Sequence, residues 1–178
     1  MLLLIEVMQN LQSNQRMRKK GNKVALFFLL FSLPAFAADI TGKVVSIADG
    51  DTLTILTSDN EQVKVRVYGI DAPERTRGQA YWRASRENLA DLCAGQEATL
   101  EVMDTDRYKR TVAVVRCQGQ NAGLNQVING YAWAYTAYLK KDKASQLYRE
   151  AEDTARQERR GLWQEPNPIP PWDWRRNR

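Results

Sequence analysis

Between Ile40 and Tyr68 the chain alternates apolar and polar residues in three short runs, separated by turn residues. This pattern constrains the fold more than any other feature. Ile40 to Ile47 reads as a strand through Ile40, Gly42, Val44 and Val45, and Ile47. Asp49-Gly50 is a strong hairpin signal, and Thr52 to Leu56 is a second β-rich run. Ser58-Asp59-Asn60-Glu61 turns again, and Gln62 to Tyr68 forms a third strand with Val63, Val65 and Val67 on one face. Three strands joined by short turns make a meander, with one face of each strand directed to a core.

Pro73 ends the run. Tyr81, Ala84, Leu89 and Leu92 then share one face of a helix over residues 80–93, with Gly95 placed to cap it. Ala98 to Met103 and Thr111 to Arg116 read as two further strands, joined by the charged connection Asp104 to Arg110. A short helix is expected over Asn121 to Asn129, stopped by Gly130, and a polar amphipathic helix over Lys143 to Arg160, stopped by Gly161. The reading is α+β: five strands with about three helices. Three strands, a helix and two strands is the order of an OB-fold β-barrel.

The 178 residues suffice for one domain with a full core. The first 37 are set apart. Arg18, Lys19, Lys20 and Lys23 form a basic n-region, Val24 to Leu33 is apolar, and Ala35-Phe36-Ala37 is a small-residue cleavage signal. The expected division is an upstream extension plus signal peptide over 1–37, a barrel domain over 38–165 and a tail over 166–178. The apolar stretch is short of the roughly 20 residues a membrane span needs, so an exported protein with no membrane association after cleavage is expected. Met17, just ahead of the n-region, is an alternative start to Met1. The leader takes five of the 26 basic residues and one of the 21 acidic ones, leaving a net charge of +1. Overall charge therefore gives no argument for a polyanionic partner; only local clusters can.

Histidine is absent, which removes the commonest general base and the commonest zinc ligand. Chemistry must run on carboxylates, Arg, Lys, Tyr or a hard cation. Asp49-Gly50-Asp51-Thr52 and Gly69-Ile70-Asp71-Ala72-Pro73-Glu74 are the two acidic clusters of interest. Each alone reads as a turn. In a meander the start of the second strand lies beside the end of the third, so Asp51 and Asp71 could meet. Two facing carboxylates repel unless a cation or proton lies between them, and oxygen donors suit Ca²⁺ or Mg²⁺. Glu74 leaves the barrel three residues later, placed to orient or deprotonate a water, or else to face a helix dipole.

Arg66 and Asp71 differ in strand parity, so periodicity does not bring them together. Arg110 closes the run Asp106-Arg107-Tyr108-Lys109-Arg110, which reads as a solvated loop or as a phosphate-binding one. Tyr108, Tyr135 and Tyr138 are candidates for stacking on bases, with Tyr135 also suited to the core. Trp163, Trp172 and Trp174 are placed to pin the Pro-rich tail to the barrel. Cys93 and Cys117 form an even pair in a chain read as exported. They could be two buried thiols, but the expected reading is a disulfide bridge closing a loop of 24 residues, worth about 3 kcal/mol in chain-entropy terms.

Strand–Asp-Gly-Asp-Thr–strand, Arg-Val-Tyr-Gly-Ile-Asp-Ala-Pro-Glu and Asp-Arg-Tyr-Lys-Arg, in this order, resemble the thermonuclease (staphylococcal nuclease homologue) family. The resemblance runs from about Thr41 to Trp163 and includes Gly-Tyr-Ala-Trp-Ala-Tyr and Arg-Gly-Leu-Trp. It implies a staphylococcal-nuclease-like barrel and a Ca²⁺-dependent endonuclease that hydrolyses DNA and RNA to 3′-phosphate products, single or frayed strands preferred. It implies Asp51, Asp71 and the carbonyl of Ala72 as calcium ligands. It implies Glu74 as the residue that activates water, and Arg66 and Arg110 as catalytic arginines. Arg107, Tyr108, Lys109 and Tyr138 are expected to contact substrate, and the protein to be a periplasmic or secreted monomer. The rival is a non-catalytic OB-fold module that binds single-stranded nucleic acid; a structural envelope domain docking through the tail is a third. Lys109 stands where the family carries Gly; a turn with φ > 0 there would strain Lys by about 1 kcal/mol.

Overall fold

The computed structural model describes residues 39–76, 78–139 and 143–176. The expected signal peptide and the cleavage after Ala37 lie outside the described residues. Strands β1 (Ile40–Asp49), β2 (Thr52–Leu56) and β3 (Gln62–Val67) form the meander, followed by the short strand β4 (Ile70–Asp71). Helix α1 (Trp82–Cys93) leads to β5 (Glu97–Thr105) and β6 (Thr111–Cys117). Strand β7 (Gln120–Asn121), helix α2 (Ala122–Ile128), β8 (Trp133–Ala134), α3 (Lys143–Gln157), a 3₁₀ turn (Gly161–Gln164) and α4 (Pro171–Arg176) complete the chain.

The sheet order is β3-β2-β1-β5-β6-β7, and a parallel pairing of β3 with β6 closes the first five strands, with β3 and β6 at their edges, into a mixed barrel of OB type. The two edge strands supply each other's backbone partners, so the barrel leaves little open edge. The barrel core is Val44, Leu53, Ile55, Val65, Val67, Leu100, Ala113 and Val115, all 2% exposed or less. The Val44-Val45 step, where the sequence alternation slips phase, coincides with a bulge between Val44 and Ser46. The bulge keeps Val44 and Ile47 inside while Val45 is 46% exposed.

Cys93 at the end of α1 is disulfide-bonded to Cys117 at the end of β6, with Cα atoms 5.3 Å apart. Both cysteines are fully buried, so the bridge fastens the first helix to the barrel from inside the core. Trp163 packs edge-to-face on Trp133, with ring centroids 5.3 Å apart, in a second small core with Ala155 and Leu162. Among the described residues no helix is long and apolar enough to cross a membrane.

The sequence expectations need four adjustments. β3 stops at Val67, one residue early, because Gly69 takes φ +78° and turns the chain into β4. α1 begins at Trp82, after Tyr81 in a left-handed conformation. α3 ends at Gln157, and left-handed Arg159 and Gly161 follow. The tail, assigned no regular structure from its sequence, contains a helical turn: Pro171 starts α4, where its missing N–H costs no hydrogen bond.

Candidate active site

A cavity of about 810 Å³ opens at one end of the barrel, between the β1–β2 turn, the β3–β4 turn and the β5–β6 hairpin. The β1–β2 turn places Asp49 and Asp51. Gly50 between them leaves no room for a side chain: a Cβ there would overlap the Ser85 side chain of α1 and force a shift. The turn is held from behind by Gln126 of α2, fully buried. Its Nε2 donates to the Gly50 carbonyl at 2.5 Å and the Ser85 carbonyl at 2.8 Å, and its Oε1 accepts from Asn88 Nδ2. Sequence reasoning missed this role. A glutamine on the buried face of an apolar helix is the signal that could have found it, because a buried amide requires partners.

Asp51 and Asp71 are 6% and 1% exposed. They do not meet across paired strands: β4 pairs with β8, with Asp71 opposite Trp133. Arg66 brings them together. Its Nη1 contacts Asp51 Oδ2, and its Nη2 donates to Asp71 Oδ1 at 2.8 Å. The parity mismatch between residues 66 and 71 is removed by the Tyr68-Gly69 turn, which folds Asp71 back alongside Arg66. The Ala72 amide N–H donates to Asp51 Oδ2 at 2.7 Å, and Thr52 Oγ1 donates to Oδ1. Ala72 is thus tied to the site through its N–H.

Charge is unevenly compensated on this floor. Burial disfavours the Asp51 carboxylate, but Arg66, Asp49 and the Ala72 N–H hold it below the ordinary range. Burial pushes Asp71 up, against the pull of Arg175 and Arg66. Asp49, half-buried beside Asp51, is raised to about 7 by desolvation and by the neighbouring Asp51 charge. Three acids therefore share one partly buried arginine from the barrel. All the donors are oxygens, with no thiolate or imidazole, which fits a hard divalent cation. Asp51 and Asp71 are the residues that would hold it. Among the described residues no cluster of three or more His, Cys, Asp or Glu forms a ready-made cage, so backbone and water oxygens would complete the shell.

The rim is more exposed. Glu74 lies on the loop after β4, its backbone N–H bonded to Gln79 Oε1 at 3.0 Å. Arg110 ends the β5–β6 hairpin. Asp106 organises that turn: its Oδ1 accepts the N–H groups of Tyr108 and Arg110, and its Oδ2 accepts Arg110 Nε at 2.7 Å. Arg110 Nη1 reaches Thr52 Oγ1 at 3.4 Å, which aims the guanidinium at the floor. Tyr108 is 65% exposed, with the guanidinium carbons of Arg107 and Arg110 4.9 and 5.5 Å from its ring centroid. Lys109 is exposed at φ 61°, so the turn does demand the left-handed conformation where Lys stands. Tyr138 is 67% exposed across the cavity. Tyr135 is half-buried and lines the cavity as well, its ring stacked on Trp172 at 5.2 Å and 4°.

Sequence reasoning missed one functional candidate altogether. Arg175 of α4 reaches into the cavity, its Nη1 and Nη2 donating to Asp71 Oδ1 and Oδ2 at 3.2 and 2.8 Å. Its Nη1 also pairs with Glu74 Oε1 at 2.5 Å. A tail arginine more than 100 residues away leaves no local signal.

The sequence pattern of the family described as staphylococcal nuclease homologue matches residues 64–165. That stretch contains Arg66, Asp71, Ala72, Glu74 and Arg110 and stops short of Arg175. The chain is 42% identical over 161 residues to a micrococcal nuclease of Shigella flexneri, covering 85% of this chain and 89% of that one. It is 44% identical over 136 residues to an uncharacterized endonuclease of Haemophilus influenzae, covering 76% and 73%. An uncharacterized endonuclease of Escherichia coli is 38% identical over 153 residues, covering 85% and 95%. Barrel, site and relatives agree: this chain belongs to the staphylococcal nuclease family.

Proposed function

We propose that the chain is an exported, calcium-dependent nuclease that hydrolyses DNA and RNA phosphodiesters to 3′-phosphate products. The observation that carries this is the junction of Arg66 with both Asp51 and Asp71 at the foot of a cavity walled by Glu74 and Arg110. Relatives named micrococcal nuclease and endonuclease support it.

Arg66 holds the two aspartates together at the floor, which supports them as the residues a cation would take as ligands. The cation supplies charge neutralisation at a phosphoryl oxygen; Asp51, Asp71 and the Ala72 carbonyl are its proposed ligands. Glu74 takes the proton of the attacking water. The water oxygen bonds to phosphorus as the bond to the 5′ oxygen breaks, and that oxygen leaves and takes a proton from solvent. Arg110, pre-aimed by Asp106, donates to the charge that grows on the phosphoryl oxygens. Arg107, Tyr108, Lys109 and Tyr138 form the outer contacts: cations for the backbone and exposed rings for bases. The Cys93–Cys117 bridge and the leader pattern of residues 1–37 support export.

The test is digestion of single-stranded DNA and RNA by residues 38–178 with Ca²⁺, with Mg²⁺ and with EGTA, followed by end-group analysis. Cleavage in Ca²⁺ alone, leaving 3′-phosphates, is expected. Salt-dependent binding without cleavage in any metal would instead favour the non-catalytic OB-fold reading.

A further inference from the structure

Arg175 and a divalent cation have a claim on the same atoms. Asp71 Oδ1 accepts from Arg66 Nη2 and Arg175 Nη1, which uses both lone pairs of an oxygen able to accept twice. Asp71 Oδ2 accepts from Arg175 Nη2, and Glu74 Oε1 from Arg175 Nη1. One guanidinium therefore engages the proposed metal ligand in bidentate fashion and the proposed base as well.

The backbone that carries it is anchored independently. Gln79, 3% exposed, donates from Nε2 to the Ile169 carbonyl at 2.7 Å. Pro171 is buried, and Trp172 stacks on Tyr135. Trp174 N–H and Asp173 N–H both bond to the Pro170 carbonyl, closing the turn that presents Arg175. Arg175 itself is 42% exposed in its side chain. It can rotate into solvent while α4 stays docked. Neighbouring Arg176 points elsewhere and pairs with Asp173.

We propose that Arg175 is a tethered cation that competes with the divalent cation for Asp71, so that the C-terminal helical turn sets the metal affinity of the site. This rests on the reading of Asp71 as a metal ligand. A guanidinium held at the mouth by Pro171 and Trp172 acts at high effective concentration, and its displacement is subtracted from the binding free energy of the ion.

The experiment is calorimetric titration of Ca²⁺ into residues 38–178, without nucleic acid, for the parent chain, Arg175→Gln, Arg176→Gln and Asp71→Asn. Arg175→Gln is expected to bind Ca²⁺ about tenfold more tightly. Arg176→Gln removes the same charge one residue along and is expected to stay within about twofold, since its field at the site is largely screened. Asp71→Asn is expected to lose binding. Equal affinity in the parent and Arg175→Gln, with binding lost in Asp71→Asn, would overturn the competition and leave the metal reading intact. An equal gain in both arginine variants would reduce the effect to overall charge and also overturn it. Ca²⁺ binding that survives Asp71→Asn unchanged, or no binding in any of the four, would overturn both.

Discussion

Asp51 and Asp71 are 6% and 1% exposed, whereas Tyr108 and Tyr138, on the same cavity, are 65% and 67% exposed. The floor of the site is made of the β1–β2 turn, barrel strand β3 and the short strand β4, all against the core. Its geometry is coupled to folding, so a change there is felt as stability and as function. The rim is a hairpin whose tip is organised by the Asp106 carboxylate, and a helical turn held by Trp172, Pro171 and Gln79. A change there should be felt mainly in chemistry or binding, with stability moved by no more than about 1 kcal/mol.

The comparison is sharpest in its two arginines. Arg66→Ala leaves Asp51 and Asp71 buried without their shared counterion. It is expected to cost roughly 3–5 kcal/mol in denaturant unfolding with EGTA present, and activity with it. Arg110→Ala is expected to lower the cleavage rate by about 100- to 1,000-fold with the unfolding midpoint unchanged. Similar stability losses in both would break the distinction between floor and rim.

Asp49 tests the floor through pH. Its folded pKa of about 7 lies above the ordinary 3.8, so the folded chain keeps a proton that the unfolded chain gives up between those values. The contribution of Asp49 to stability in EGTA is therefore fully present below about pH 4, is lost as pH rises to about 7 and is flat above, opposite in sign to that of Asp51, whose depressed carboxyl favours folding at higher pH. Asp49→Asn is expected to remove that slope and to stabilise the chain at pH 8 by on the order of 1–3 kcal/mol. Thermal unfolding at a series of pH values reads both.

Lys109→Gly gives the smallest effect. At φ 61° Gly relieves left-handed strain of about 1 kcal/mol, partly offset by the greater freedom of Gly in the unfolded chain. A gain of at most about 1 kcal/mol, with cleavage changed by less than about threefold, is expected from unfolding and rate measurements on the same preparation.

The same division governs what could be read from the sequence. The meander, the barrel order and the acidic clusters were legible because strand alternation and turn chemistry are local. The closure of β3 on β6 is not local; it follows from twist accumulated over five strands. Arg66 illustrates the limit. Strand parity separates it from Asp71, and only the left-handed turn at Gly69 reunites them, a turn that Gly permits but does not announce. Gln126 was invisible as a scaffold residue because its partners, Gly50 and Ser85, come from two other elements. Arg175 lay in a tail whose prolines and tryptophans signalled docking but not onto which surface. The disulfide was readable as an even pair, and its geometry as nothing more until α1 and β6 were placed side by side.

The central claim is that the carboxylates and arginines around this cavity act together as one hydrolytic site. Single-turnover cleavage of a single-stranded DNA oligonucleotide by Glu74→Gln, in saturating Ca²⁺, tests it most directly. Glu74 is on the rim, so the variant is expected to fold and to bind the oligonucleotide like the parent. Its cleavage rate is expected to fall by about 100-fold or more. A folded, DNA-binding Glu74→Gln protein that cleaves at the parent rate would contradict the account.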